Sequence, residues 1–592
     1  MNEHCCQTSG TKQQSPGPGP DGSAPIGSEP MPTAEGPTPA GPPPAPTSPT
    51  PTAEGPTPAS DVQPGLAEAE RLLAAGDYQA LPIWLTLPAG TRDPLELFCA
   101  LRQLSRHCYI FESLEDAADT GRYTILGFDP KLEISCTDGR LRIVNGATLE
   151  FTTSDPSEHI QGILAEYKSP RLAGLPPFTG GLVGYFAYDY ITYSEPVLRL
   201  EAADSEGFKD FDLMLFDKVL AYDHLEQRLY LIATIKADGL AENYQRAARE
   251  LDDLARLVVA SPAPTPPPLQ LAGPFEPLFS AGEYCAMVER AQHYIHEGDI
   301  FQVVLANRLS APAEGSLFAT YQALRRLNPS PYLFYLSSED IELAGASPET
   351  LVRLQDGEVM TYPLAGTRPR GATAEEDAAL AADLLADAKE LAEHNMLVDL
   401  GRNDVGRVSS FGSVQVTSYL ALLRFSHVMH IGSTVCGQLA EGRSATDVIA
   451  AILPAGTLSG APKVRACQII NELEGTRRGV YGGAIGYLSF TGDMDTCIAI
   501  RLAFKKNGQV FVRSGAGIVA DSIPANEHQE CLNKMQAVLA ALDAASGDAA
   551  GGDTTGVGEL AAAAAIAAAP AVDAAVAIAV ARPDVVGEEA SQ

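Results

Sequence analysis

Hydrophobic and polar positions follow two registers along this chain, and each predicts its own elements. Short apolar runs at Tyr123–Leu126, Leu141–Val144, Leu213–Ala221 and Leu229–Ala233 read as strands. Among them lies FTGGLVGYFAYD (178–189), whose glycines imply close backbone packing or bulges. Further along, Glu283–Glu297 has the spacing of an amphipathic helix, and Phe301–Leu305, Tyr332–Leu336, Leu351–Leu354 and Met360–Pro363 read as strands. One long helix is predicted from about Glu375 to Leu400, with Leu384, Leu385, Leu391, Met396 and Leu397 on its apolar face. The last helix begins after Pro524 and carries Leu532, Met535, Leu539 and Leu542 at i, i+3, i+7 and i+10. Antiparallel-looking strands with interspersed helices predict an α+β fold rather than a doubly wound one.

The patterning fails at both ends. The first 60 residues hold 16 of the 44 prolines, and PTAEGPTPA occurs at 32–40 and again at 51–59. Such a segment cannot bury enough apolar surface to offset its ordering entropy, so residues 1–64 are expected to form an extended, disordered arm. The last 47 residues (546–592) hold 17 alanines and read as a low-complexity tail. Its apolar stretch Leu560–Ala581 is mostly alanine, broken by Pro570 and Asp573, which argues against a membrane span. SPAPTPPP (261–268) opens a stiff linker or loop over 261–274, between an N-terminal region 65–260 and a C-terminal region 275–545.

Charge narrows the function classes. With 41 Lys+Arg against 75 Asp+Glu the net charge is −34, so neither nucleic acid nor an anionic membrane can be held by bulk charge. The ten cysteines are scattered without a CxxC pair, which supports neither a disulfide framework nor a thiolate metal site. No basic segment followed by an apolar run opens the chain, and a reduced cytoplasm is the expected setting.

Candidate chemistry lies in the C-terminal region. Glu527, Glu530 and Lys534 share one face of the last helix, and Glu390 and Glu393 repeat the i, i+3 pairing on the long helix beside His394. Carboxylates from two helices converging on a pocket suit a hard cation such as magnesium; a solvated charged face has the same spacing. LAGTRPRG (364–371), PAGTLSGAPK (454–463) and RSGAGIVADS (513–522) offer glycine-exposed amides for an anion, yet none completes a P-loop or GxGxxG. A small carboxylate ligand therefore stays open. His430 lies in an apolar strand-like stretch, and Arg501 follows the apolar run CIAI, where it can clamp a carboxylate or pair with a surface acid. No GxSxG or GxCxG nucleophile elbow occurs.

Eight stretches carry more than spacing: GDIFQVVLANR (298–308), NPSPYLFYL (328–336), GASPETLV (345–352), PLAGTRPRG (363–371), EHNMLVDLGRNDVGRV (393–408), PAGTLSGAPKVRA (454–466), YGGAIGYLSFTGDMDTCIAIR (481–501) and GAGIVADSIPANEHQE (515–530). In this order they resemble the chorismate-utilising enzymes, best the component I family of anthranilate synthases, over roughly 75–542. The resemblance implies two large, mainly antiparallel sheets packed together with helices around them. It implies a lyase of tryptophan biosynthesis that makes anthranilate from chorismate. Members that add water carry a lysine where this chain has Gln302, a neutral amide that cannot deprotonate water. Aminodeoxychorismate synthases, the alternative reading, commonly carry a lysine where this chain has Ala365. Both positions favour free ammonia as the nucleophile.

By the same resemblance Glu349 is the general acid, His430 takes the C2 proton, and Thr457 completes the catalytic set. Gly366, Thr367, Tyr481, Arg501, Gly515, Ala516, Gly517 and Lys534 bind chorismate. Glu393 and Glu530 are magnesium ligands, with Glu527 beside them. The segment YIFESLEDAADTGRYTILG (109–127) is similar to the family's tryptophan-binding segment, so Glu112 and Ser113 with Pro331, Tyr332 and Leu333 are expected to bind tryptophan as inhibitor. Ammonia is expected from a separate glutamine amidotransferase subunit, commonly within a heterotetramer.

Overall fold

The computed structural model describes residues 62–547 except 89, 91, 114–120, 260–263 and 425–427. Residues 1–61 with their repeat, the tail beyond 547, and parts of the Pro-rich and tryptophan-segment readings lie outside the described residues. Two large antiparallel sheets, of thirteen and twelve strands, form the body. Tyr109, Ile125 and Phe334 of the first sheet interlock with Val183, Met214 and Ile485 of the second, so the sheets pack face to face. Helices cover the outer faces. Leu251, Tyr284, Tyr321, Ile469 and Met535 sit on the first sheet, and Ile160, Val398 and Ile449 on the second. A strand covered on both faces reads as a continuous apolar run, and Ile341–Ser347 is buried at every position.

The two halves of the chain interleave. Cys108–Glu112 pairs with Tyr332–Ser337 in one sheet, and Gly181–Phe186 pairs with Ala484–Ser489 in the other. The α+β reading holds, with three local differences. The run expected as one strand at Leu213–Ala221 divides at Asp217 into Phe211–Phe216 and Lys218–Asp223, which lie in different sheets. The long helix expected over 375–400 is two, Ala374–Ala386 and Ala388–Gly406. Asp387 takes an extended conformation between them, and its carboxylate caps Lys389 N and Glu390 N. The last helix, Pro524–Gly547, buries Met535, Leu539 and Leu542 as expected, with Cys531 and Val538; Leu532 is only half-buried. Among the described residues no helix is long and apolar enough to cross a membrane.

Candidate active site

Strand Gln302–Glu314 pairs with Gln509–Ile518, and the glycines of the latter let other groups approach its backbone. A Cβ at Gly515 would lie 2.6 Å from the Leu305 carbonyl oxygen and 3.2 Å from the Tyr481 hydroxyl. Only glycine therefore leaves room for Tyr481. Arg501 sits just before strand Leu502–Lys506 with φ +53°, a conformation that costs a non-glycine residue about 1–3 kcal/mol. Its guanidinium donates to the Lys534 carbonyl oxygen at 2.7 Å. The Lys534 ammonium in turn donates to the Gly515 carbonyl at 3.2 Å and pairs with Glu530 at 2.7 Å.

The opposite wall is strand Leu364–Pro369 against Val428–Gln438, whose register shifts between Ala365 and Thr367. Gly366, at φ +72°, absorbs that bulge and turns its carbonyl toward His430. His430 Nδ1 lies 2.8 Å from this carbonyl oxygen and 3.1 Å from Thr367 Oγ1. A carbonyl can only accept, so Nδ1 carries a proton, and in the neutral ring the lone pair sits on Nε2. Glu349 follows strand Ile341–Ser347, and its carbonyl accepts the Ile498 N–H at 3.0 Å. Thr457, in the one-turn helix Gly456–Leu458, donates to Glu349 Oε1 at 3.1 Å.

These walls enclose a cavity of about 260 Å³ lined by Glu349, Gly366, Thr367, His430, Thr457, Tyr481, Arg501, Gly515, Gly517 and Lys534. Ala516 is the exception: its side chain is buried on the opposite face of its strand, against the helical layer. Burial pushes the Tyr481 phenol well up, so it acts as a neutral donor. Val304 and Arg513 also line the cavity and were missed by the sequence reading, which assigned them no chemistry. Loop 454–463 brings no cationic anion site, because the buried Lys463 ammonium donates to Asp404 at 2.7 Å and to the Ile452 carbonyl at 2.8 Å.

The glutamates flank this cavity without lining it. Among the described residues no group of three or more His, Cys, Asp or Glu is assembled to hold a metal ion. Burial, and next the charge of Glu530, raises the Glu527 carboxyl; burial, and next Glu393, raises Glu390. Glu393 Oε1 accepts only a long 3.4 Å contact from the Gln302 amide, whose own oxygen is buried without a partner. A carboxyl raised by a neighbouring carboxylate fits a divalent cation that keeps part of its shell for substrate and water. His394 does not belong to this face: it is buried, its Nε2 lies 2.6 Å from Ser433 Oγ, and burial lowers it to about 4.

A second cavity, of about 130 Å³, opens between the sheets and is lined by Glu112, Ser113, Pro331, Tyr332 and Leu333. Ser113 Oγ is buried there without a partner. The Glu112 carboxylate is committed elsewhere, accepting from Arg325 Nε at 2.8 Å, Thr124 Oγ1 at 3.0 Å and the Tyr321 hydroxyl. Sequence reasoning missed Arg353 and Asp495, which line this cavity as an ion pair at 2.9 Å; the Tyr332 hydroxyl donates to Asp495 at 2.7 Å.

Residues 106–540 match the family model described as chorismate binding enzyme. Anthranilate synthase component 1 of Acetivibrio thermocellus is 43% identical over 483 residues, covering 80% of this chain and 97% of that protein. The same component of Pseudomonas aeruginosa is 44% identical over 479 residues, covering 79% and 97%. Among solved structures, anthranilate synthase component I from Streptococcus pneumoniae superposes with a TM-score of 0.63 at 40% identity, over 72% of this chain and 93% of that one. The menaquinone-specific isochorismate synthase of Escherichia coli shares the fold, with a TM-score of 0.58 at 21% identity, over 81% and 98%. Two interleaved antiparallel sheets and relatives at this identity over nearly their full length place the chain in the chorismate-binding enzyme family, among its anthranilate synthase component 1 members.

Proposed function

We propose that this chain converts chorismate and ammonia to anthranilate, pyruvate and water. The observation that carries this reading is one cavity holding the Glu349–Thr457 pair, the oriented His430 and, among its cations, Arg501 and Lys534. Chorismate is a dianion, and the two cations with the amides of Gly515 and Gly517 supply donors for its carboxylates. As ammonia adds at C2, Glu349 gives a proton to the C4 hydroxyl, which leaves as water while the ring double bonds shift. His430 Nε2 then removes the C2 proton. The released electron pair aromatises the ring, the C3–O bond breaks, and the enolate of pyruvate departs to be protonated. Gln302, a neutral amide hydrogen-bonded toward Glu393, gives the site no base for activating water in place of ammonia.

Glu393 and Glu530, with Glu527 beside them, would hold magnesium, which when bound neutralises a substrate carboxylate. Ammonia reaches the site from a separate glutamine amidotransferase subunit, in keeping with the relatives' designation as one component. The working compartment is the cytoplasm. The test is anthranilate fluorescence with pyruvate measured in parallel, from the full chain given chorismate, magnesium and ammonium salt alone. Equal appearance of both products is expected; an aminated chorismate without pyruvate overturns the reading.

The cavity between the sheets is the tryptophan inhibitor site in this proposal, supported by the unpartnered Ser113 hydroxyl among aromatic walls. Filling that space in Ser113→Phe is expected to raise the tryptophan concentration for half-inhibition by more than about tenfold. Ammonium-dependent kcat should stay within about twofold. Unchanged inhibition would move the inhibitor site elsewhere.

A further inference from the structure

Behind Tyr481 lies a charged cluster that the reaction scheme does not use. The side chains of Glu474, Arg478 and Arg513 are 0%, 1% and 1% exposed. Arg478 pairs with Glu474 Oε1 at 2.5 Å and donates to the carbonyls of Leu458 and Val304 at 2.6 and 2.7 Å. Arg513 donates to Glu474 Oε2 at 2.6 Å and to the Arg477 carbonyl at 3.0 Å, and its Nε–H has no partner. Two guanidiniums thus share one buried carboxylate. Around it Arg308 pairs with Glu206 and Arg477 with Asp138 and Asp210, while the buried Asp189 carboxylate accepts the Gly479 N–H at 3.2 Å. Burial and Arg478 pull the Arg513 pKa down against Glu474, yet guanidinium remains charged at neutral pH.

The Arg513 Nε–H, buried without a partner, is a costly donor unless an acceptor completes it. Only Arg513 of the three lines the active-site cavity, and the Tyr481 ring lies 5.9 Å from it. We propose that Arg513 is a specificity-determining residue of this site: held in place by Glu474, it supplies the fixed positive charge that makes the cavity select a dicarboxylate over a monocarboxylate. Arg478, through the Leu458 and Val304 carbonyls, positions the turn that carries Thr457 and the strand beneath the ring.

The inference rests on the chorismate reading, and its test is arranged to fail separately. Two competitive probes, the dianion 3-(carboxymethoxy)benzoate and the monoanion 3-methoxybenzoate, are titrated against the wild-type chain, Arg513→Gln and Arg513→Lys. Glutamine is expected to weaken the dianion by about tenfold or more, while the monoanion changes by less than about threefold. The KM for chorismate should rise with the dianion constant, kcat should stay within about threefold, and lysine should restore most of the loss. Equal weakening of both probes, or of neither, overturns the proposal even if anthranilate is made. Absence of anthranilate from the wild-type chain overturns the chorismate reading and leaves the probe ratio intact. Should Arg513→Gln fail to fold, salt decides on the wild-type enzyme. A buried charge is not screened, so the dianion constant should move by less than about threefold between 0.05 and 0.5 M salt. A steep rise would assign the attraction to exposed charges and overturn the role of Arg513.

Discussion

Replacing Glu349 by glutamine is expected to lower kcat by about 10³-fold or more while the KM for chorismate stays within about threefold. Thr457 donates to Glu349 Oε1 in the resting site, and a glutamine oxygen accepts the same bond. The backbone is likewise anchored, because the residue's carbonyl accepts from Ile498 N regardless of side chain. Substrate should therefore meet an unchanged cavity. What is lost is the proton for the C4 hydroxyl, without which the leaving group is hydroxide. The measurement is steady-state anthranilate formation with ammonium as nitrogen donor, with chorismate binding followed separately by competition. An enzyme that keeps about a tenth of its turnover removes Glu349 from the acid role. A parallel rise in KM and fall in kcat would mean that the side chain positions substrate instead.

Much of the site was legible because its residues sit in long motifs whose glycines and charges have few structural alternatives. Gly366 and Gly515 were expected to border the ligand, and both line the cavity through backbone requirements that side chains could not meet. The contact that gives His430 its tautomer was not legible. It joins positions 64 residues apart, through a carbonyl whose direction depends on a bulge. Asp217 and Asp387 were overlooked for a different reason. Asp217 with Lys218 breaks its apolar run by only two residues, and Asp387 is one more polar position in an amphipathic stretch, too little to shift a periodicity, yet enough to end a strand or cap a new helix. Arg478, Arg513 and Glu474 read as ordinary charges in sequence, because nothing local reports that folding will bury them. The ion pair Arg353–Asp495 was hidden in the same way, on strands that meet only after folding.

Removing divalent cations with a chelator is expected to abolish anthranilate formation, and excess magnesium should restore it in full. Glu393→Gln and Glu530→Gln should each lose activity by about 10²-fold or more, because a cation held by so few protein ligands has none to spare. The physical basis is repulsion already present in the structure. Glu527 is raised by burial and by Glu530, and Glu390 by burial and by Glu393, so negative charge accumulates beside a cavity that must admit a dianion. Lys534 offsets part of it through Glu530 at 2.7 Å, but the same ammonium is tied to the Gly515 carbonyl. The sign of the pH dependence follows. A raised carboxyl binds a proton more readily than a free one, and proton and cation compete for the same oxygens. Magnesium affinity should therefore fall as pH drops through the raised range, and Glu527→Gln should flatten that fall. Calorimetric titration of magnesium, with and without the non-reacting dianion 3-(carboxymethoxy)benzoate, separates the contributions. Tighter binding in its presence is expected, since the ligand brings a further carboxylate to a cation that the protein alone leaves incompletely coordinated. Affinity that is indifferent both to the dianion and to Glu393→Gln would place the cation elsewhere and leave the glutamates as a solvated face.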